Sequence, residues 1–517
     1  TFDLNSSGNV YAEFDGNENL TVSAKSTLGD MNIDKGMWWH VAESIGDKIG
    51  VNDWNKAGVK NIRFNTKGIY LPEDSSGFFN EIKGVINGCE NLNTSKVKRM
   101  NRMFYEANTA NPDVSRWDVS NVTDMNRMFY RAMSANPDVL EWNVSNVTNM
   151  SWMFSGATSA KPDVSEWNVS NVTDMNRMFY VATSANPDVS KWNTSKVTDT
   201  SGMFARAISA NPDVSEWNVS NVTNMSWMFF DATSANPDVS NWDVSKARDM
   251  SGLFKGSAVK TVNLSKWEVD TSVTADKNKT KDMFESCANL EYLKTPEGLK
   301  TNVSGADGDF KIVRLKKGSA AVTEENGKNL NDKYEINKAG GYAIYHIYKK
   351  DKYAGVVFDK NGGDEEGWIN HEIAYKGETI KASNGSLPMK NPTKEGSKFL
   401  GWATGKNADK PDFDENTTVS SDIIVYSAWK GFEFSLNSAG NVKAKIGIDG
   451  NMTISAVDPV GDKNIEREKW MDMVKDTGGK NLNWGSSSFT GNIIVNDEVY
   501  LPKDSSLMFN YFKGNLI

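Results

Sequence analysis

The chain repeats itself every 25 residues, and this period limits its fold more than any other feature. Trp117, Trp142, Trp167, Trp192, Trp217, Trp242 and Trp267 keep that step, and so do Phe104, Phe129, Phe154, Phe179, Phe204, Phe229 and Phe254. A unit this short cannot bury its own apolar face, so neighbouring units must stack and share one core. Leu92 stands in the tryptophan slot one step earlier. The insert "TSVTADKNKT" after Trp267 displaces the next Met-Phe pair to Met283 and Phe284, which marks the two ends of the array.

Within a unit, Val114 to Val119 carries β-branched and aromatic residues beside an Asn-Pro-Asp turn, which predicts a short strand. Met125, Met128, Phe129 and Ala132 fall at i, i+3, i+4 and i+7, which predicts one apolar stripe on a short helix capped near Ser120, Asn121 or Thr123. Strand and helix together predict an α/β solenoid of leucine-rich-repeat type built from 25-residue coils. Asp113, Asp138, Asp163, Asp188, Asp213 and Asp238 each follow a proline. These carboxylates either accept backbone N–H groups in their own turns or hold a cation between them, and the turn role is the simpler expectation.

The motifs "VSNVTDMNRMF" and "WNVSNVTNMSWMF", with the leading segment "IYLPEDSSGFF", resemble the BspA-like leucine-rich-repeat surface proteins of bacteria over about Ile62 to Leu293. The resemblance implies an extracellular, wall- or membrane-anchored adhesin whose repeat array contacts host proteins or other microbes. Further on, "VVFDKNGG", "YKGETIKA", "PTKEGSKFLGWAT" and "DIIVYSAWK" resemble the Listeria-Bacteroides repeat of internalin-type surface proteins. Phe358, Gly362, Gly363, Gly377, Pro392, Gly396, Phe399, Gly401, Trp402, Tyr426 and Trp429 carry that match. It implies a β-grasp-like module whose aromatics form a miniature core.

The end of the chain returns to its beginning. "FDLNSSGNV" at Phe2 recurs as "FSLNSAGNV" at Phe434, and "IYLPEDSSGFFNEIKG" at Ile69 recurs as "VYLPKDSSLMFNYFKG" at Val499. Each copy holds a tryptophan-bearing helix between strand hairpins, which suggests a small α+β cap. The expected organisation is an α+β cap over 1–61, the solenoid over 62–300, a β-rich closing segment over 301–354, the β-grasp-like module over 355–430 and a second cap over 431–517. That second cap would lead into a further array, with signal peptide and anchor outside this sequence.

Net charge −9 disfavours nucleic acid as a partner. No apolar run is long enough to span a membrane. Cys89 and Cys287, at opposite ends of the array, are expected to be buried and unpaired. No nucleophile, base or metal-ligand spacing assembles a catalytic or metal site, and neither enzyme activity nor a cofactor is expected.

Function is expected on the slots that drift between coils. On a helix whose stripe faces inward, positions such as 127, 130 and 131 face out. These slots hold Arg127, Tyr130 and Arg131, Trp152, Arg177 and Tyr180, Arg206, Trp227 and Phe230, a mix of arginine and aromatic rings typical of binding hot spots. A host extracellular or cell-surface protein is the expected partner, with glycan as a second class. A passive stalk is the alternative, and the chain is expected to be a monomer at the bacterial surface.

Overall fold

The computed structural model describes residues 1–46, 54–270, 272–273, 276, 278–316, 323–338, 343–363, 370–383, 385–388, 390–394, 397–408, 410–447, 451–478, 492–496, 498–503, 505 and 516. Two compact units are distinguished: Thr1–Val313 with Glu325–Lys349, and Arg314–Glu324 with Lys350–Ile517.

The first unit opens with a five-stranded sheet in the order Phe2–Asp3, Val10–Phe14, Asn19–Ala24, Asn61–Phe64, Ile86–Asn87. Helix α1 (Lys35–Gly46) accompanies it. Trp38 of α1 is buried, stacks on Phe78 at 4.2 Å and donates its indole N–H to the Phe78 carbonyl at 3.0 Å. The Trp54 indole donates to the same carbonyl at 2.9 Å.

The repeats follow, and here the structure corrects the expected leucine-rich-repeat-type α/β solenoid. Units between about 94 and 260 contain neither a strand nor a helix, only turns and isolated parallel bridges. The bridges run from Asp74 through Arg99, Asp124, Asn149, Asp174, Asp199 and Asn224 to Asp249. Strands are gathered into several separate sheets outside these units, and the helices α1 and α2 (Arg467–Gly478) also lie outside them.

The apolar spacing survives this change. Met125, Met128, Phe129 and Ala132 are all fully buried, because consecutive tight turns return a residue to the same face at nearly the helical interval. The helix fails because Arg127 and Arg131 both take positive φ, 55° and 53°, which a right-handed helix excludes. Backbone donors therefore alternate. Met128, Tyr130 and Ala132 donate N–H to the carbonyl three residues back, at 3.1 Å each. Met125, Arg127, Phe129 and Arg131 donate to Asn149, Ser151, Met153 and Ser155 of the next coil at 3.0, 3.0, 2.8 and 2.7 Å.

The Val114–Val119 strand is absent for a related reason. It has no ladder: the buried Val114 carbonyl instead accepts the Trp117 backbone N–H at 3.1 Å and takes a second donor from a tryptophan side chain of the next coil. The indole N–H of Trp142 reaches the Val114 carbonyl at 3.0 Å, and Trp167, Trp192, Trp217, Trp242 and Trp267 reach Val139, Val164, Val189, Val214 and Val239 at 2.9–3.0 Å. Through the centre runs a column of phenylalanines from Phe79 to Phe284. Successive ring centroids lie 5.2–6.0 Å apart, with planes within 16° of parallel.

A second five-stranded sheet follows, in the order Thr323–Leu330, Ala306–Lys316, Ala343–Lys349, Tyr292–Lys294, Thr261–Asn263. Its apolar residues, such as Leu293, Phe310 and Ile347, continue the same core as the leading cap and the repeats.

In the second unit, Tyr353–Asp359 pairs with His371–Tyr375 on one side and runs parallel to Ile423–Ser435 on the other. Ser397–Ala403 also pairs with Ile423–Ser435, through a bulge between Phe399 and Gly401. This is a mixed sheet with no helix across it among the described residues, so the β-grasp expectation is corrected too. Its aromatics do form a core, with Phe358 4.9 Å and Phe399 5.4 Å from Trp402. A Cβ on Gly363 would lie 2.5 Å from the Trp429 ring, which explains glycine there. Gly396 lies outside the described residues.

Ile423–Ser435 continues past Lys430 and pairs with Val442–Ile446, so the 430/431 boundary falls inside one strand. The second cap then repeats the first: Val442–Ile446, Met452–Ala456, then α2, then Ile493–Val495 parallel to Met452–Ala456.

Candidate partner-binding face

Two outward columns of side chains run along the repeats. One contains Arg102, Arg127, Trp152, Arg177, Gly202, Trp227 and Gly252, all with φ between 50° and 61°. The other contains Glu106, Arg131, Gly156, Val181, Arg206, Asp231 and Gly256, with φ between 51° and 72°. Glycine is the residue this left-handed backbone favours, and any other residue costs about 1–2 kcal/mol. The chain nevertheless keeps arginine or tryptophan at half of these slots, at Arg102, Arg127, Trp152, Arg177 and Trp227 of the first column and Arg131 and Arg206 of the second.

The expected residues come together in two groups. In the first, Arg127 and Arg177 lie over the Trp152 ring at 5.4 and 4.7 Å. Tyr130 and Tyr180 meet the same ring edge-on at 5.8 and 6.0 Å. Arg131 lies over Tyr130 at 5.3 Å and pairs with Glu106 at 3.4 Å. Tyr105, stacked on Tyr130 at 4.9 Å, extends the group toward the leading cap. In the second, Arg206 lies over Phe230 at 5.2 Å and pairs with Asp231 at 3.6 Å, while Trp227 meets Phe230 edge-on at 5.1 Å.

Such guanidinium–ring contacts are worth about 0.5–1 kcal/mol each when exposed, and the surface ion pairs less than about 1 kcal/mol. They orient the rings and cover them in part: Trp227 is 37% exposed and Arg131 and Arg206 are exposed, while Trp152, Tyr130, Tyr180 and Phe230 are half-buried. Met133 and Ile208, also exposed, add apolar area on the neighbouring slot and carried no signal in the helical reading.

The drifting slots prove to be coupled between coils. At three steps a bulky side chain leans onto a glycine of the following coil, as Arg131 does onto Gly156, Arg177 onto Gly202 and Trp227 onto Gly252. A Cβ on Gly252 would lie 2.6 Å from the Trp227 ring, one on Gly202 3.0 Å from Arg177 Cγ, one on Gly156 3.0 Å from Arg131 Cγ. The signal was present in the sequence as glycine one period after a bulky residue.

The proline-linked aspartates take the turn role. Asp113, Asp163, Asp188 and Asp213 each accept both the backbone N–H and the hydroxyl of the serine two residues on, and the serine hydrogen bonds hold Asp113, Asp163 and Asp188 below the usual carboxylate range. Equivalent turns recur at Asp118, Asn218 and Asp243 and at Asn149, Asp199 and Asp249, which sequence reasoning missed. At the cap, burial works to raise Asp74, but hydrogen bonds from Ser76 and Lys35 outweigh it and hold the carboxyl well below its ordinary range. Asp74 also pairs with Arg99 of the next coil at 2.9 Å.

The family described as "Mycoplasma protein of unknown function, DUF285" matches residues 73–191 and again 181–294. The Listeria-Bacteroides repeat domain matches residues 355–428. No curated protein and no solved structure matches the chain. Among the described residues, no helix is long and apolar enough to cross a membrane. Taken together, the repeats of 73–294 and the domain of 355–428 make this chain a bacterial surface repeat protein.

Proposed function

We propose that this surface protein is an adhesin, and that the outward Arg and aromatic columns of its repeats bind a host extracellular or cell-surface protein. The observation that supports this reading is conformational. Arg127, Trp152, Arg177 and Trp227 hold left-handed backbone that glycine would occupy at lower cost, on a face where no core demands them. Strain kept at half-buried Arg127, Trp152 and Arg177 and at exposed Trp227, on the outer face, points to selection for what those side chains touch. Arginine, tryptophan and tyrosine are the residues that dominate protein-binding hot spots.

The test compares the full chain with a Trp152→Ala/Trp227→Ala variant for adhesion of coated beads to immobilised plasma and matrix proteins. The variant is expected to keep its melting profile and lose about tenfold or more in apparent affinity, as removal of hot-spot rings does. Equal adhesion by both proteins would overturn the reading in favour of a passive stalk. Adhesion abolished by free sugar would identify glycan as the ligand class instead.

A further inference from the structure

The outward arginines divide by column in whether a carboxylate meets them. In the second column each arginine has one from a neighbouring coil: Arg131 pairs with Glu106 at 3.4 Å and Arg206 with Asp231 at 3.6 Å. Arg102, Arg127 and Arg177 of the first column pair with no carboxylate among the described residues, and Arg127 donates only to its neighbour Asn126 Oδ1, at 3.2 Å. That column holds no acidic residue from Arg102 to Gly252, and neither does the adjacent one from Tyr105 to Lys255 at the same step. Asp124 and Asp174, three residues before Arg127 and Arg177, accept the backbone N–H groups of Asn126 and Asn176 instead, at 2.9 Å each. In a chain of net charge −9, this is a stripe of positive charge without internal compensation.

All three guanidiniums also lie over rings: Arg102 over Tyr105 at 5.8 Å, and Arg127 and Arg177 over Trp152 at 5.4 and 4.7 Å. A guanidinium over a ring keeps its N–H donors at its edge, in the planar fork that matches the two oxygens of a carboxylate. Holding the side chain in place beforehand also lowers the entropy lost when a ligand binds. Trp152, half-buried and met by guanidiniums from two coils, has little ring face left for a sugar to stack on.

We infer that the first column is the docking site for an acidic segment of a protein partner, whose aspartate or glutamate carboxylates take the open guanidinium edges of Arg102, Arg127 and Arg177. The inference rests on the adhesin reading above and names the chemistry of what is bound. The chain's own pairs supply the precedent: Arg131 and Arg206 each hold a side-chain carboxylate while lying over Tyr130 and Phe230. A protein segment fits this face better than a sulfated glycan does, because Met133, 46% exposed, and the stacked Tyr105 and Tyr130 offer apolar surface that aliphatic side chains cover and sulfates do not. At physiological salt the acidic remainder of the chain opposes approach only within about 8 Å.

The experiment titrates the full chain into a fluorescent peptide of glutamates interspersed with leucines, beside the same peptide with glutamine for glutamate, and reads anisotropy. The glutamate peptide should bind, and the glutamine peptide should bind about thirtyfold or more weakly. Arg127→Gln/Arg177→Gln should lose about thirtyfold or more with an unchanged melting profile, and Arg127→Lys/Arg177→Lys, which keeps the charge without the fork, about tenfold. Arg116→Gln removes an exposed arginine outside both columns and should bind as the parent does. Absence of binding, equal binding of the two peptides, full retention by the lysine variant or an equal loss from Arg116→Gln would overturn the inference. So would a sulfated oligosaccharide that binds more tightly than the glutamate peptide through the same arginines, since the partner class would then be glycan. In the bead assay the two readings separate: adhesion lost by Trp152→Ala/Trp227→Ala but kept by Arg127→Gln/Arg177→Gln overturns this inference alone, whereas adhesion kept by both removes the adhesin reading and this inference with it.

Discussion

The Trp192 side chain fills the core and also donates its indole N–H to the Val164 carbonyl at 3.0 Å, a bond no other aromatic could make from that slot. Trp192→Phe removes one of the two donors to that carbonyl, the backbone N–H of Trp167 remaining at 3.1 Å, and also removes buried volume, so it should cost about 1–2 kcal/mol, read as a lower urea midpoint. Asp174 makes a different point. Burial, aided by the neighbouring Asp199 charge, raises its carboxyl above the ordinary value. A raised acid binds its proton more tightly when folded, so its contribution is intact below the unfolded-state value near pH 3.9 and is lost as pH rises through the folded-state value. Asn149 and Asn224 occupy the same slot in other coils. Asp174→Asn should therefore raise the melting temperature at pH 7, by less than about 1 kcal/mol of stability, and the gain should vanish near pH 3.

At the level of the coil, coupling between successive slots matters more than either residue alone. Gly252 combines φ of 61° with a position 2.6 Å from the Trp227 ring for any added Cβ. Gly252→Ala should cost about 1–2 kcal/mol and displace that ring, seen as a shift in tryptophan emission together with a lower melting temperature. The apolar periodicity of the unit was legible: every residue of the Met125, Met128, Phe129, Ala132 stripe is buried. The element behind it was not, because a chain of tight turns and a helix return side chains to one face at nearly the same interval. Only the φ of Arg127 and Arg131 separates the two, and neither residue type announces a left-handed conformation.

Across the first unit, one apolar core joins cap, repeats and closing sheet. Cys89 and Cys287 lie near its two ends, both free and buried. Burial drives the Cys89 thiol upward and pushes Cys287 up to about 12. Neither should react with a thiol reagent at neutral pH in the native state, and both should label once the core opens in denaturant. Rapid labelling of one alone would show that its end of the core frays independently.

The sequence by itself determined that units of 25 residues must stack, which side chains fill the stack, and that the first cap is written a second time. Those conclusions follow from spacing and hydrophobicity, which do not depend on backbone conformation. Tertiary structure alone decided what the units are made of. Whether a backbone N–H turns back three residues or reaches across to the next coil depends on a neighbour 25 residues away, and no local propensity encodes that choice. The same holds for the outward face, where Trp152 lies between Arg127 and Arg177 because successive coils bring side chains from three repeats into contact.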